Sequence, residues 1–389
     1  MVNQNFQRSE KMKIYSVTGV LVVLFSFSCG NINKTGSFHP GEVWKDKDSI
    51  PINAHGGGIT FYNGKYWWFG EHKIEGEAGN LAMVGVHCYS SGDLYSWKDE
   101  GIALKVIKNQ PGNDIEEGCV LERPKVIYNN KSGKFVMWFH LEAKGTNYTS
   151  AKSGVAISDH INGPYKYLYS LRSCPGSWPV NALFLKDRPI DPTVSGREYD
   201  GGSVNKHPDS LNLVKRDFEK GQMERDMTLF VDDDGKAYHI FSSEENSTLH
   251  IAELTDDFTN HSGKYARAFV GRFNEGPSIF KRNGKYYIIT SYCNGWDPTD
   301  ARSAVADSIM GPWEELGTPC RGRDSALTFH SQSTYILPVQ GKKDAFIFMA
   351  DRWSPKNAID GRYVWLPVDF EEGKPVLKWL DKWDLSYFR

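Results

Sequence analysis

The 389-residue chain lacks any imbalance of charge: 46 Lys and Arg stand against 48 Asp and Glu, a formal net charge of −2. Proteins that hold nucleic acid carry a basic stripe or patch, so this balance leaves no electrostatic case for such a partner. Long hydrophobic runs are scarce as well. Residues 14–27 (IYSVTGVLVVLFSF) form the one long apolar stretch, and a mean hydropathy of −0.50 excludes a multispan membrane protein. Cysteine is sparse: six residues, none in CxxC spacing, with no histidine cluster along the chain that completes a zinc site. What the chain does have is aromatic side chains and turns. Its 12 Trp, 19 Tyr and 21 Phe, with 37 Gly, lean towards an all-β fold.

The apolar run follows Lys11 and Lys13 and is followed by Ser28-Cys29-Gly30. A basic start, a short apolar centre and a small residue before Cys read as a secretion signal, too short for a comfortable membrane span. The position of Cys29 resembles a bacterial lipoprotein signal. Residues 1–29 are therefore expected to direct export, to the periplasm or outer membrane of a Gram-negative bacterium, with a lipid on Cys29 as the only membrane contact. Cys88, Cys119, Cys174, Cys293 and Cys320 remain, an odd number, and are expected to be mostly buried free thiols.

Internal repeats carry the fold reading. Five segments share one layout: a polar residue, a short apolar strand, a turn ending in Gly-Lys, and a second, aromatic-rich strand. They begin at His55, Glu122, Asp226, Glu275 and Gln332. The turn glycine lies nine positions after the start in four copies and eleven in the second, and Lys65, Lys134, Lys236, Lys285 and Lys342 follow it. Asn-Gly and Asp-Gly between strand-like runs are strong hairpin signals. Each hairpin is followed by enough strand-like sequence for two further strands. The expectation is an all-β, single five-bladed β-propeller over residues 36–389, because radial closure protects sheet edges. Residues 173–222, rich in Pro, Gly and charge, read as an elaborated insertion between the second and third blades. Asp232-Asp233-Asp234-Gly235 looks like a calcium loop but sits at the shared hairpin turn, so it reads as a turn.

In a propeller the first strand of each blade lines the central channel. The five repeat starts would then meet at one height: His55, Glu122, Asp226, Glu275 and Gln332. The returning strands bring Glu71, His140, Glu142, Glu244, Glu245, Trp296, Arg352 and Trp353 back to the same face. Carboxylates and flat aromatic faces around a shallow pocket suit a sugar, whose hydroxyls take bidentate hydrogen bonds and whose C–H faces stack on Trp. Of Trp67, Trp68 and Trp138, two are expected to be core. Asp226 and Glu275, with Glu122 as a third carboxylate, invite glycoside hydrolysis, which needs one protonated acid and a second group across the ring. Clustered carboxylates raise the pKa of one of them, which keeps it protonated near neutral pH.

The Asp226 block (RDMTLFVDDDGKAY), the Glu275-Gly276-Pro277 block and the repeat layout together resemble glycoside hydrolase family 43, a family of inverting enzymes. The resemblance runs from about Phe38 to Arg389. It implies that Glu275 is the general acid and that Asp226 tunes and orients it. The family's usual blade-one base is absent, since that place reads Asn53-Ala54-His55-Gly56-Gly57. The AHGGGI stretch with YWWFGE behind it resembles the exo-β-1,3-galactanase branch, in which a Gln opening the fifth blade holds the attacking water. Gln332 matches it, and Glu122 matches a Glu that binds sugar hydroxyls there, although Glu122 could itself be the base. By their places at the channel mouth, His55, Glu71, Trp296 and Trp353 are expected to bind substrate beside Glu122. No cofactor is required; a structural Ca²⁺ in the channel, with His330 as its ligand, is the one metal the resemblance admits.

The expected activity is exo-acting release of galactose from β-1,3-galactan, the backbone of plant arabinogalactan. An α-L-arabinofuranosidase or β-D-galactofuranosidase is the alternative among enzymes. Two other classes stand beside it: a surface glycan-binding protein on a retired scaffold, and a phosphorylase, for which Arg123 and Arg352 are the only obvious phosphate partners.

Overall fold

The five Gly-Lys turns fold as their sequence demands. Gly64, Gly133, Gly235, Gly284 and Gly341 all take left-handed φ, between 67° and 81°, where a side chain would be strained. Each closes an antiparallel hairpin: His55–Tyr62 with Lys65–Glu71, Cys119–Asn129 with Lys134–Glu142, Met227–Val231 with Ala237–Ser243, Asn274–Arg282 with Lys285–Tyr292, and Gln332–Pro338 with Phe346–Arg352. The computed structural model describes residues 36–194 and 206–388. The expected signal segment with Cys29, and part of the 173–222 insertion, lie outside the described residues.

The fold is an all-β propeller, but the expected blade number is corrected. Counted by hydrogen-bonded sheets, the described residues form six blades in a ring rather than five four-stranded ones. Three sheets are four-stranded meanders. The sheet of Glu122 has five strands, because Leu81–Ala82 crosses over to pair with Cys119 and Val120. The sheet opened by Gln332 stops at three strands, ending with Arg362–Pro367. Beyond it the chain turns into a small separate hairpin, Asp369–Glu371 with Lys374–Lys378, to which Cys320–Arg321 adds in parallel. That sixth sheet has its own Gly-Lys turn at Gly373-Lys374, with φ 78°. Its strands are short and one of them, Cys320–Arg321, joins from a distant stretch, so the repeat pattern does not reveal it.

The inner strands of the five hairpins neighbour one another round the channel. At three of them the residue after the polar start takes positive φ: Gly56 at 60°, Arg123 at 53° and Gly276 at 55°. The ladder slips there, between His55 and Gly58, Glu122 and Lys125, and Glu275 and Ser278. Such a bulge breaks the two-residue alternation and re-aims side chains. In this fold it lets neighbouring residues of one strand serve the same cavity.

Aromatic layers hold the sheets together. Trp68 packs against Trp97, Trp365 and Tyr363 at ring-centre distances of 5.3, 4.9 and 4.7 Å. The ring closes where Phe38 bridges Trp383 and stacks on it at 4.4 Å. Trp68 and Trp138 are fully buried and Trp67 is only half-buried, so two of the three strand tryptophans are core. The five cysteines among the described residues are free, four of them buried. The Asp232–Gly235 stretch is a hairpin turn, with Lys281 against both Asp232 and Asp233. Replacing Trp68 with Ala should cost about 3–5 kcal/mol in urea unfolding; a loss below about 1 kcal/mol would contradict a close-packed closure.

Candidate active site

Where the inner strands begin, a cavity of about 250 Å³ opens at the channel mouth, lined in part by Glu71, Glu122, Asp226, Glu275 and Gln332. It is somewhat smaller than the roughly 300–1,000 Å³ of drug-sized pockets. Four of the five repeat starts reach it. The fifth does not: His55 is 1% exposed and stacks on Tyr363, 5.3 Å away, with its Nδ1 4.0 Å from Asp351. Burial pushes its imidazole down to about 3, so it is a neutral wall residue. The expected role of His55 in holding substrate is therefore corrected. The bulge after it turns the ring inward, and the neighbouring Gly56 amide donates to Asp351 Oδ2 at 2.7 Å.

Arg123 organises the floor. Its Nε meets Asp226 Oδ1 at 2.7 Å, its Nη2 donates to Gln332 Oε1 at 2.6 Å, and its Nη1 donates to the Ser333 carbonyl at 3.2 Å. Its backbone N–H donates to Glu71 Oε1 at 2.9 Å. One buried arginine, through its guanidinium and its backbone amide, thus ties its own strand to three other stretches of chain around the cavity. It was visible in the sequence only as a candidate for phosphate. Strict alternation would place it opposite Glu122, and the bulge is what brings both into the cavity.

Glu275 and Asp226 are differently held. Asp226 has Arg123 on one oxygen and accepts the Gly276 N–H on the other at 2.9 Å. Glu275 receives longer contacts, from Asn246 at 3.2 Å and from the Gln332 amide nitrogen at 3.5 Å, and the Cys293 thiol lies against it. Burial, and then the Asp226 charge, push its carboxyl up to about 7. A carboxyl in that range can carry a proton at neutral pH and give it up to a leaving oxygen.

Glu122 accepts from Tyr148 Oη at 2.8 Å and lies 3.1 Å from His140 Nδ1, while His140 Nε2 lies 3.1 Å from Glu142. Burial alone would raise Glu122, but the contact with His140 outweighs it and holds the carboxyl below its usual range. Glu71 pairs with Lys73 at 2.5 Å. The aromatic wall is Trp296, 41% exposed, set edge-on to Trp353 at 5.9 Å. Trp353 Nε1 also donates to Gln332 Oε1 at 2.9 Å.

The remaining expected residues lie behind the wall. Glu244 is clamped by Arg267 and His250, Glu245 by Arg216, and Arg352 donates to the Phe329 carbonyl. His330 is half exposed beside Asp324, 3.6 Å away, and lines a small side cavity behind Gln332 and Trp353 rather than the main one. Among the described residues, the groups of side chains that could hold a metal are Glu122 with His140 and Asp226, and Glu224 with His239 and His261; His330 belongs to neither. Sequence reading missed Lys73, Asn80, Tyr148 and Asn246 as site residues. They come from loops after the second strands, where no period marks them.

A partly desolvated acid, a carboxylate beside it, a fixed amide and two indole faces define a carbohydrate-cleaving site. The glycosyl hydrolases family 43 profile matches residues 208–362. The solved structure of a family 43 β-1,3-galactosidase with galactodeoxynojirimycin is 52% identical, covers 90% of this chain and 100% of that one, and superposes with a TM-score of 0.84. The exo-β-1,3-galactanase of Phanerochaete chrysosporium, solved as a Glu-to-Gln variant with β-1,3-galactotriose, is 29% identical over 90% of this chain and 68% of its own, with a TM-score of 0.72. A β-D-galactofuranosidase of Aspergillus niger is 28% identical over 158 residues, 39% of this chain and 44% of that protein. The chain thus spans less than half the length of that curated relative. It belongs to glycoside hydrolase family 43.

Arg123→Ala should leave Asp226 and Gln332 without their shared donor and cut kcat at least about 100-fold, with a stability loss of about 3–5 kcal/mol for a broken buried pair. Near-wild-type turnover in folded protein would remove Arg123 from its organising place.

Proposed function

We propose that the protein is an exo-acting β-1,3-galactosidase that removes terminal galactose from β-1,3-galactan with inversion of configuration. The observation that carries this is the pairing of Glu275 and Asp226 within a cavity that is small and walled by Trp296 and Trp353. The most similar solved structure cited above, a β-1,3-galactosidase, supports the choice of sugar and linkage. Glu275 donates its proton to the glycosidic oxygen. Asp226 raises the acid's pKa through its charge and, held by Arg123, fixes the backbone at Gly276. Glu122, kept ionised, accepts hydrogen bonds from ring hydroxyls together with Glu71.

Gln332 orients the attacking water. Its oxygen already accepts from Arg123 and Trp353, and its nitrogen donates to Ser291 at 2.9 Å. An imidic tautomer would need a proton on that twice-occupied oxygen, so positioning fits the geometry better than proton uptake. Phosphorolysis finds little support: the Arg123 guanidinium is taken up by protein groups, and Arg352 does not reach the cavity. A purely glycan-binding role would not need a carboxyl tuned near neutrality. Export, with lipidation at Cys29, belongs to the same reading, because galactan is an extracellular plant polymer too large to enter the cytoplasm intact.

Four outcomes are expected. Incubation with β-1,3-galactan should release galactose, seen first as the α-anomer by NMR, and Glu275→Gln should abolish it; activity confined to 4-nitrophenyl α-L-arabinofuranoside or β-D-galactofuranoside would replace the substrate while keeping the mechanism. The acid must be protonated, so kcat/KM should fall as pH rises through about 7. Asp226→Asn removes a charge that raises Glu275, so this limb should move to lower pH; an unmoved limb would contradict the coupling. Labelled palmitate should enter the full chain expressed in a Gram-negative host and not its Cys29→Ala variant, and labelling of both would overturn lipidation there.

A further inference from the structure

Glu224, His239 and His261 meet between the second and third sheets, away from the sugar cavity. All three are buried, and Glu224 is 0% exposed. His239 belongs to the second strand of its sheet, Ala237–Ser243, and His261 opens the fourth, His261–Ala268. Glu224 comes from the segment that leaves the insertion, two residues before Asp226.

The polar atoms of this group are poorly satisfied. His239 Nδ1 lies 3.1 Å from His261 Nε2, but both carboxylate oxygens of Glu224 are buried without a hydrogen-bond partner. His239 Nε2 and His261 Nδ1 are buried and unpartnered too, and the hydroxyls of Ser153 and Ser173 face Glu224 without reaching good hydrogen-bond geometry. An ionised carboxylate buried this way costs several kcal/mol unless something positive compensates it. The ion-pair distances of Glu224 are to the two imidazoles, 3.9 Å from His239 and 3.7 Å from His261, and the charges of Arg172 and His140 act on it from further off. The surroundings are apolar and aromatic: Trp138 lies 5.0 Å from each imidazole and Phe241 lies 4.5 Å from His239.

The three ligand atoms fit one cation. A tetrahedral ion with bonds of about 2.0–2.1 Å has ligand–ligand edges of roughly 3.3 Å. The two imidazole nitrogens lie 3.1 Å apart, and the carboxylate turns Oε1 to His261 at 3.7 Å and Oε2 to His239 at 3.9 Å; one ligand atom from each residue lies within 4.8 Å of the other two, so side-chain shifts would bring the set to the required geometry. Two imidazoles and one carboxylate are a donor set for zinc or a similar transition metal, whereas calcium prefers oxygen throughout.

We propose that Glu224, His239 and His261 form a structural zinc site that pins the end of the insertion to the third sheet. Its position gives it a purpose. The insertion is closed at its base by a bridge between Ser173 and Gln222, and Glu224 follows directly. A metal bond there anchors the short segment that leads into Asp226.

The test is metal analysis of the full chain, expressed with zinc in the medium and purified without a histidine tag. One zinc per chain is expected. Protein grown with cobalt instead should show visible d–d absorption of a low-symmetry nitrogen–oxygen site. Glu224→Gln and His261→Gln, which keep volume, should each lose at least about tenfold in metal affinity, and chelation should lower the Tm of wild type but not of the variants. If His261→Gln fails to fold, Glu224→Gln and the cobalt spectrum still decide. Substoichiometric metal without cobalt bands overturns the proposal, as does calcium in place of zinc. Full zinc retained by both variants also overturns it, because the ion would then sit elsewhere, for example at Glu122, His140 and Asp226.

Discussion

A single buried cation holds the active end of the propeller in register. Arg123 reaches Asp226 on the third sheet, Gln332 and Ser333 on the fifth, and through its own amide Glu71 on the first. A guanidinium suits this task because its planar fork offers several donors in fixed directions and never loses its charge. Burying it is favourable only because each contact is met by a carboxylate or a carbonyl oxygen. The groups it touches cannot drift independently. The positions of the candidate acid's neighbour and of the candidate water-holding amide are set by one side chain.

That arrangement also separates the carboxylates by role. Asp226 is fully engaged by Arg123 and the Gly276 amide, and Glu122 is engaged by Tyr148 and His140. Glu275, touched by Asn246, Gln332 and Cys293, is pushed up to about 7 by burial and then by the Asp226 charge. Similar side chains within one cavity thus acquire different chemistry from their hydrogen bonds. The insertion contributes from outside: Arg216 and Asp209 tie it to Glu245 and Arg267, so Glu244 and Glu245 are drawn into docking rather than catalysis.

Much of this was legible in the chain. The five Gly-Lys turns mark five hairpins, and their polar first residues mark the channel, because a turn needing positive φ leaves a local signature. The candidate acid Glu275, its carboxylate neighbour Asp226, the Gln332 amide and the tryptophans Trp296 and Trp353 all line the cavity the repeats point to. The sixth sheet was not legible, since its strands are two to five residues long and one joins from a distant stretch in parallel. His55 was misread as a sugar ligand because its repeat position is right while its ring turns the other way.

Periodicity and turn chemistry are local, so the sequence by itself determined an all-β ring of hairpins with chemistry at their first residues. Side-chain direction after a bulge depends on how neighbouring sheets press on it, and only the tertiary structure decided that Arg123 faces the cavity and His55 does not. The same holds for Glu224, His239 and His261, which no spacing connects. Their meeting is a product of sheet packing, and so is the electrostatic cost that makes the site conspicuous.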